Sequence, residues 1–561
     1  MAGIIRAPGI RRPYFYVSAR ELYLWYNARK GNPMHELRKI SYYERLLTLD
    51  MPASAHFIYN HAGTMNQRGG GDTMYTSFNA YNSEVVADDV IVVGDSATSK
   101  YVLVGALTAN RSLTHLSVVW RGRKMREIKI WQPEIKEGEE PEEIAILEGD
   151  DWRELLIRYG GMVSEKMHAL CPAADAKNVT GYCSWYYYYK DVTEKDFLEN
   201  VDTLAAHQSS PFKARYVQID DGYQAFQGDW NDQHASWPTP LADIAKKITD
   251  AGMEAGIWTM PFHASTASRV FREHPEWFVK GPDGQPLVAR GWSPPPDHLW
   301  ATLDTTQDAV LEHLGKIFRT FREWGYTYFK MDGLGFALVD GVRADPSATS
   351  VSAFRKGLKA IRDAVPDSFL LACSQHFMPC VGLVDGARFS EDTHASAGPI
   401  IRAANQTLNR FWMFDKFYWA DPDCLIVRTD RGVQTLGESH ISALTGILTG
   451  FALTSDNLAL LPPERLELLG RAASLRMRGV RPGVKELGWD EAWPAIFIGT
   501  VDGAPAAALI NEGKKPRTWK LAEIEGFSEG RPCVELLQPL GAIEGDSITV
   551  EPHDAVLLVQ Q

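Results

Sequence analysis

Residues 305–332 read TTQDAVLEHLGKIFRTFREWGYTYFKMD. Val310, Leu311, Leu314, Ile317, Phe318, Phe321 and Trp324 recur at spacings of three and four, the period of a helix with one buried face. Thr305 stands where an N-cap residue would. Directly after the helix, TYFKMD (327–332) has the aromatic and apolar character of a buried strand, and it ends on charged residues. A strand that follows a helix in this way signals a βα unit in a parallel sheet.

The same alternation extends in both directions. Candidate strands are GYCSWYY (181–187), RYVQID (215–220), AGIWTM (255–260), TYFKMD, FLLACS (369–374), DGARFS (385–390), DCLIVR (423–428) and GFALTS (450–455). A second amphipathic helix, AFRKGLKAIRDAV (353–365), precedes the fifth strand. Eight such strands close a (β/α)8 barrel. The rival architecture, an open doubly wound sheet, would carry a G-x-G-x-x-G turn after its first strand, and the chain has none there.

Both flanks are strand-like. VVADDVIVV (85–93), KYVLVGALTA (100–109) and LTHLSVVW (113–120) are separated by turn residues, among them Gly69, Gly70 and Gly71. The acidic stretch 134–151 reads as a solvated turn, and WRELLIRYGGMVSEKM (152–167) as a helix leading out of this region. Beyond 480, AIFIGTV, APAAALINE, CVELLQPLG and SITVEPHDAVLLV restore the strand rhythm. The expected layout is an N-terminal β domain (1–150), a linking helix (151–175), the barrel (176–478) and a C-terminal all-β domain (479–561).

Composition narrows the function. The 58 basic and 71 acidic residues leave a net charge of −13, which disfavours a nucleic-acid surface. No 18-residue apolar run spans a membrane, and the first residues lack the apolar core of a secretory signal. Six scattered cysteines form no disulfide framework and no C-x-x-C pair, so the expectation is a cytoplasmic protein with free thiols. Eight of the seventeen tryptophans fall between Trp185 and Trp324, more indoles than a core needs, which points to a stacking surface.

In such barrels the C-terminal ends of the strands form the active face. The polar residues there are Ser184 and Trp185, Asp220 and Asp221, Trp258, Lys330 and Asp332, Cys373 and Ser374, Arg388 and Asp392, and Asp421 and Asp423. Lys330 and Asp332 are two apart, so both point to the same side of their strand. An ammonium beside a carboxylate keeps it ionised, which suits a nucleophile. Asp220 and Asp221 are adjacent acceptors, both needing donors that sugar hydroxyls supply. Two carboxylates on different strands, flanked by tryptophans, fit glycoside hydrolysis: one attacks the anomeric carbon and the other protonates the leaving oxygen. A metal-dependent lyase using Asp220, Asp221 and His263, and a sugar-binding barrel without turnover, are the readings from other classes.

GYCSWYYYYKDVTEKDFLENV, YVQIDDGYQAFQGDW, AGIWTMPFHAS, YTYFKMDGL, VGLVDGARFSEDT and YWADPDCLIVR cover the whole barrel in order. In these stretches the chain resembles glycoside hydrolase family 36, the α-galactosidases of the compact bacterial and archaeal branch, which share a clan with family 27. The resemblance implies an α/β fold, a (β/α)8 barrel between an N-terminal β-sandwich and a small C-terminal β-sandwich. It implies a retaining, exo-acting α-galactosidase with Asp332 as nucleophile and Asp392 as acid/base. It places Asp220, Asp221, Trp258, Lys330, Cys373, Arg388 and Trp185 around the sugar. The expected partner is an α-galactoside, with no cofactor, metal, nucleic acid or membrane, and with a homo-oligomer left open. An α-N-acetylgalactosaminidase or a galactosyl transferase is the alternative within the class.

The chain also departs from that pattern. Relatives read C-G-S-P where Cys373, Ser374, Gln375 and His376 stand, and Gly333 replaces a common Phe. Glu391 sits beside Asp392. The W-Q-S-W-type segment that helps wall the sugar pocket in the family is not recognisable here, and FIYNHAGTMN (57–66) is the candidate for its place.

Overall fold

A computed structural model describes residues 43–561 except 49–55, 61–72, 77–85, 96–97, 122–123, 173–175, 207–211, 433, 485–494 and 539–540. Most of FIYNHAGTMN and the run Gly69–Gly71 lie outside the described residues.

Eight parallel strands form the central sheet: β1 (Val179–Cys183), β2 (Tyr216–Ile219), β3 (Glu254–Thr259), β4 (Tyr326–Met331), β5 (Phe369–Ala372), β6 (Gly386–Arg388), β7 (Trp419–Asp421) and β8 (Phe451–Thr454). They pair in sequence order from β1 to β7, and β8 pairs with β1. The remaining seam, between β7 and β8, is bridged by Leu425 opposite Thr454. The result is a nearly closed barrel, as expected. Register sets Trp258 opposite Lys330 and Arg388 opposite Asp421, so neighbouring strands deliver these polar groups to one level.

Several strands end short of the sequence reading, and two depart from it most. The first strand stops at Cys183, and Trp185–Tyr188 makes one helical turn instead. The seventh is Trp419–Asp421 rather than 423–428, because Asp423 takes φ 78 and turns the chain out of the ladder. Between β3 and the helix Asp308–Glu323 the chain also inserts a three-stranded antiparallel sheet, His263–Ser265, Val288–Arg290 and Leu299–Thr302, which the periodicity did not signal.

The first helix, α1 (Trp152–Lys166), is capped by the Asp151 carboxylate and precedes the barrel. In the barrel layer α2 is Glu194–Ala206, α3 Leu241–Asp250, α4 Asp308–Glu323, α5 Ser350–Ala364, α6 Ala397–Leu408, α7 Leu436–Thr449 and α8 Pro463–Ser474. The helix expected from Val310 to Trp324 is α4, with Val310, Leu314, Ile317, Phe318 and Phe321 buried. Its cap is Gln307, not Thr305, whose hydroxyl instead donates to the Ala353 carbonyl of α5 at 2.5 Å. Helix α7 is buried along nearly its whole length, its polar residues Glu438, Ser439 and His440 included. Gly450, at φ 69, ends α7 in the left-handed conformation and turns the chain directly into β8.

Before α1, two antiparallel sheets of four and five strands face each other. Leu116, Val118, Ile128 and Ile130 from one meet Ile91, Val93 and Val104 from the other, so this is a sandwich. After the barrel, a six-stranded sheet carries Leu509, Val556 and Leu558 against Trp519, Ile548 and Val550 of a two-stranded sheet. Its opposite face, with Leu557 and Ala555, joins the barrel core beside α7. Among the described residues no helix is long and apolar enough to cross a membrane.

Candidate active site

The strand ends converge as the sequence suggests, but the partnerships are more specific. Asp332, immediately after β4, is half-buried. Its Oδ1 accepts from the Ser374 hydroxyl at 2.6 Å and from the Gly333 amide at 2.7 Å. Its Oδ2 accepts a longer bond, 3.3 Å, from the Trp258 indole. Burial works to raise the Asp332 carboxyl, but the Lys330 charge and these donors outweigh it and hold it below the usual carboxylate range.

Lys330 does not bond Asp332. Its ammonium pairs with Asp220 Oδ2 at 2.9 Å, both side chains being buried. Burial alone would lower the ammonium; the Asp220 carboxylate overrides it and keeps it charged well above its usual range. Asp220 Oδ2 also accepts from Gln218 at 2.6 Å and from the Cys183 thiol at 3.3 Å, while Oδ1 accepts the Asp221 amide at 2.9 Å. Asp221 faces away, toward Gln224 Nε2 at 2.6 Å and the Lys190 ammonium at 3.2 Å. Burial pushes its carboxyl up. The donors that the adjacent pair requires therefore come from the protein itself, and not from sugar hydroxyls alone. Sequence reasoning missed Gln218, Gln224 and Lys190, since nothing local marks them as partners.

On the other side of the mouth, Arg388 is fully buried and donates to Asp423 and Asp392, at 2.5 and 3.0 Å. It also reaches the Tyr186 hydroxyl at 3.3 Å and the Cys373 sulfur at 3.9 Å. Asp423 accepts in addition from the Tyr186 hydroxyl and from the Thr393 amide, 2.8 Å away. Asp392 is different: its side chain is 58% exposed, with Arg388 as its ion-pair partner. Burial raises the Cys373 thiol well above its usual range, so it stays protonated. Asp421, buried beneath Asp423 and accepting its amide at 2.9 Å, has its carboxyl pushed up to about 6.

Trp185 and Trp258 are packed in different ways. Trp258 is buried and braced edge-on by Trp230, with only its indole N–H directed to Asp332. Trp185 packs edge-on against Tyr189 and, among the described contacts, meets none of the carboxylates. The lyase reading fails on its donor set: Asp220 is held by a lysine, and His263 is buried against Trp300 and Phe336. Burial lowers that imidazole to about 4.

A barrel whose mouth holds paired carboxylates on separate strands has the layout of a glycoside hydrolase, and the melibiase family model matches residues 199–333, from α2 to the residue after Asp332. Within that class the chain is α-galactosidase-like and resembles the family 36 enzymes. It is 24% identical over 342 residues to an A-type blood α-D-galactosamine galactosaminidase of Flavonifractor plautii, covering 58% of this chain and 29% of that protein. It is 26% identical over 206 residues to an α-galactosidase of Escherichia coli, covering 35% and 25%. The chain thus spans less than a third of the length of these curated relatives. The same fold occurs in an α-galactosidase of Thermus thermophilus, with TM-score 0.64 and 22% identity, covering 82% of this chain and 92% of that one. It occurs again in a family 36 α-galactosidase of Geobacillus stearothermophilus, with TM-score 0.61 and 13% identity, covering 92% and 76%.

Proposed function

We propose that this chain is a family 36 enzyme that hydrolyses terminal α-D-galactosides with net retention. The observation that carries the reading is the unequal treatment of two carboxylates. Asp332 is anchored and kept ionised, whereas Asp392 stands exposed at the mouth with Arg388 as its ion-pair partner. In the first step Asp332 Oδ2, the oxygen with only the long indole bond, attacks the anomeric carbon. The bond to the leaving oxygen breaks, and Asp392 supplies that oxygen with a proton. Oδ1, with its two short bonds, becomes the carbonyl oxygen of the glycosyl ester. Water then attacks the same carbon, gives its proton to Asp392 and releases Asp332 as carboxylate.

The test is NMR of the first-formed sugar from nitrophenyl α-galactoside. The expected product is the α-anomer; the β-anomer would overturn double displacement. A second reading, an α-galactosaminide as substrate, is favoured by the Flavonifractor relative, which is named a galactosaminidase. Nitrophenyl α-galactoside and its 2-amino and 2-acetamido counterparts, compared by kcat/KM, separate the two.

A further inference from the structure

Asp423 sits just past β7 at φ 78, a left-handed conformation that aspartate tolerates better than most residues. Its Oδ2 accepts from the Arg388 guanidinium at 2.5 Å, the Thr393 amide at 2.8 Å and the Tyr186 hydroxyl. Its Oδ1 accepts the Cys424 amide at 2.7 Å. The Tyr186 oxygen itself accepts from Arg388 at 3.3 Å, which turns its own proton toward Asp423. Burial pushes the Asp423 carboxyl up, while the Arg388 charge and the Thr393 amide work against it. Four donors hold it as the carboxylate.

One nitrogen of Arg388, Nη2, carries two N–H groups yet stands within bonding distance of three oxygens. They are Asp423 Oδ2, Asp392 Oδ1 and the Tyr186 hydroxyl, at 2.5, 3.0 and 3.3 Å. Asp392 therefore shares its guanidinium with a nearer and more deeply buried carboxylate. Cys373, Tyr186 and Tyr189 also face Asp392, and burial raises each of them, so they stay neutral. Glu391 is engaged with Arg402 at 3.3 Å, and the His394 ring lies edge-on to Tyr186.

Resting on the proposed function, we infer that Asp423 is a positioning residue for the acid/base, acting on Asp392 through Arg388 and through the Thr393 amide. An arginine that faced Asp392 alone would hold it ionised, which spoils an acid. By taking up the Arg388 charge, Asp423 leaves Asp392 able to bind the proton that the leaving oxygen needs. By holding the Thr393 amide, it fixes the backbone directly after Asp392.

The experiment follows kcat/KM against pH for the wild type, Asp423→Asn and Arg388→Gln. The substrates are methyl α-galactoside, a poor leaving group that needs the acid, and α-galactosyl fluoride, which needs almost no proton. Asp421, opposite Arg388 in register, is common to all three proteins. In Asp423→Asn the guanidinium faces Asp392 alone. The basic limb on the methyl glycoside should move to lower pH by about one unit, a roughly tenfold loss above it, while the fluoride profile keeps its position. Arg388→Gln removes the charge and should move the same limb to higher pH. Either variant decides the sign if the other fails to fold. Equal losses on both substrates with the limb unmoved would show a merely structural role and overturn the inference, and so would shifts in the same direction in both variants. A wild type that cleaves neither substrate would instead fail the proposed function itself.

Discussion

Ser374 shows how a single substitution can tune a carboxylate. It sits at φ 52, a left-handed conformation that costs a side-chain-bearing residue strain, and its hydroxyl donates to Asp332 Oδ1. Ser374→Gly should relax the backbone, so its melting temperature should hold or rise. It also removes a hydrogen bond to a charged group, so kcat/KM should drop by roughly tenfold or more. Because that bond lowers the Asp332 carboxyl, its loss raises the pKa, and the acid limb of the pH–rate profile moves to higher pH. An unmoved acid limb would show that Ser374 only supports the turn. Asp332→Ala removes the nucleophile itself. Turnover should fall nearly to zero, and azide should restore part of it with a β-glycosyl azide as product. An α-azide would mean that the roles of Asp332 and Asp392 are reversed.

At the scale of elements, the docking of α1 depends on the absence of one methyl group. A Cβ on Gly160 would lie 2.6 Å from the Trp412 carbonyl oxygen, whereas one on its neighbour Gly161 meets nothing. An exposed helical Gly→Ala change usually stabilises by about 0.5–1 kcal/mol. Gly161→Ala should follow that rule. Gly160→Ala should reverse the sign and cost about 1–3 kcal/mol, because the helix must move off the Phe411–Met413 turn against which it packs. Thermal melts of the two variants side by side check this; equal shifts would refute the close packing. The helix–strand alternation from 176 to 475 was legible because each element buries one face on a fixed period. The inserted three-stranded sheet was not, since its short strands alternate too briefly to stand out from loop.

For the whole molecule, the buried Asp421 at the barrel mouth makes stability depend on pH. Asp421 keeps its proton up to about pH 6 when folded, above the ordinary aspartate value of 3.8. The folded state thus binds more protons than the unfolded chain between about pH 4 and 6, and stability falls as pH rises through that window. The loss reaches about 3 kcal/mol at pH 7, from a shift of roughly two units. Asp421→Asn can still accept the Asp423 amide but carries no charge. Its unfolding midpoint should exceed that of the wild type at pH 7 and approach it near pH 4. A constant difference across this range would refute the assignment.

The sequence alone determined the order of the elements and the set of residues at the barrel mouth, because strand direction places every strand's last residues on one rim. It also determined that Lys330 and Asp332 share a face, since alternation along a strand is fixed by the backbone. Only the tertiary structure decided which charges pair. Lys330 was expected beside Asp332, yet it bonds Asp220 just past the second strand, and Arg388 of the sixth strand joins Asp392 to Asp423, which lies past the seventh. These pairings depend on barrel closure and on register between strands distant in sequence, which no local pattern encodes. The same holds for Trp258 and Trp292. Both are plain tryptophans in the sequence, and only packing buries one ring beside Asp332 and leaves the other exposed.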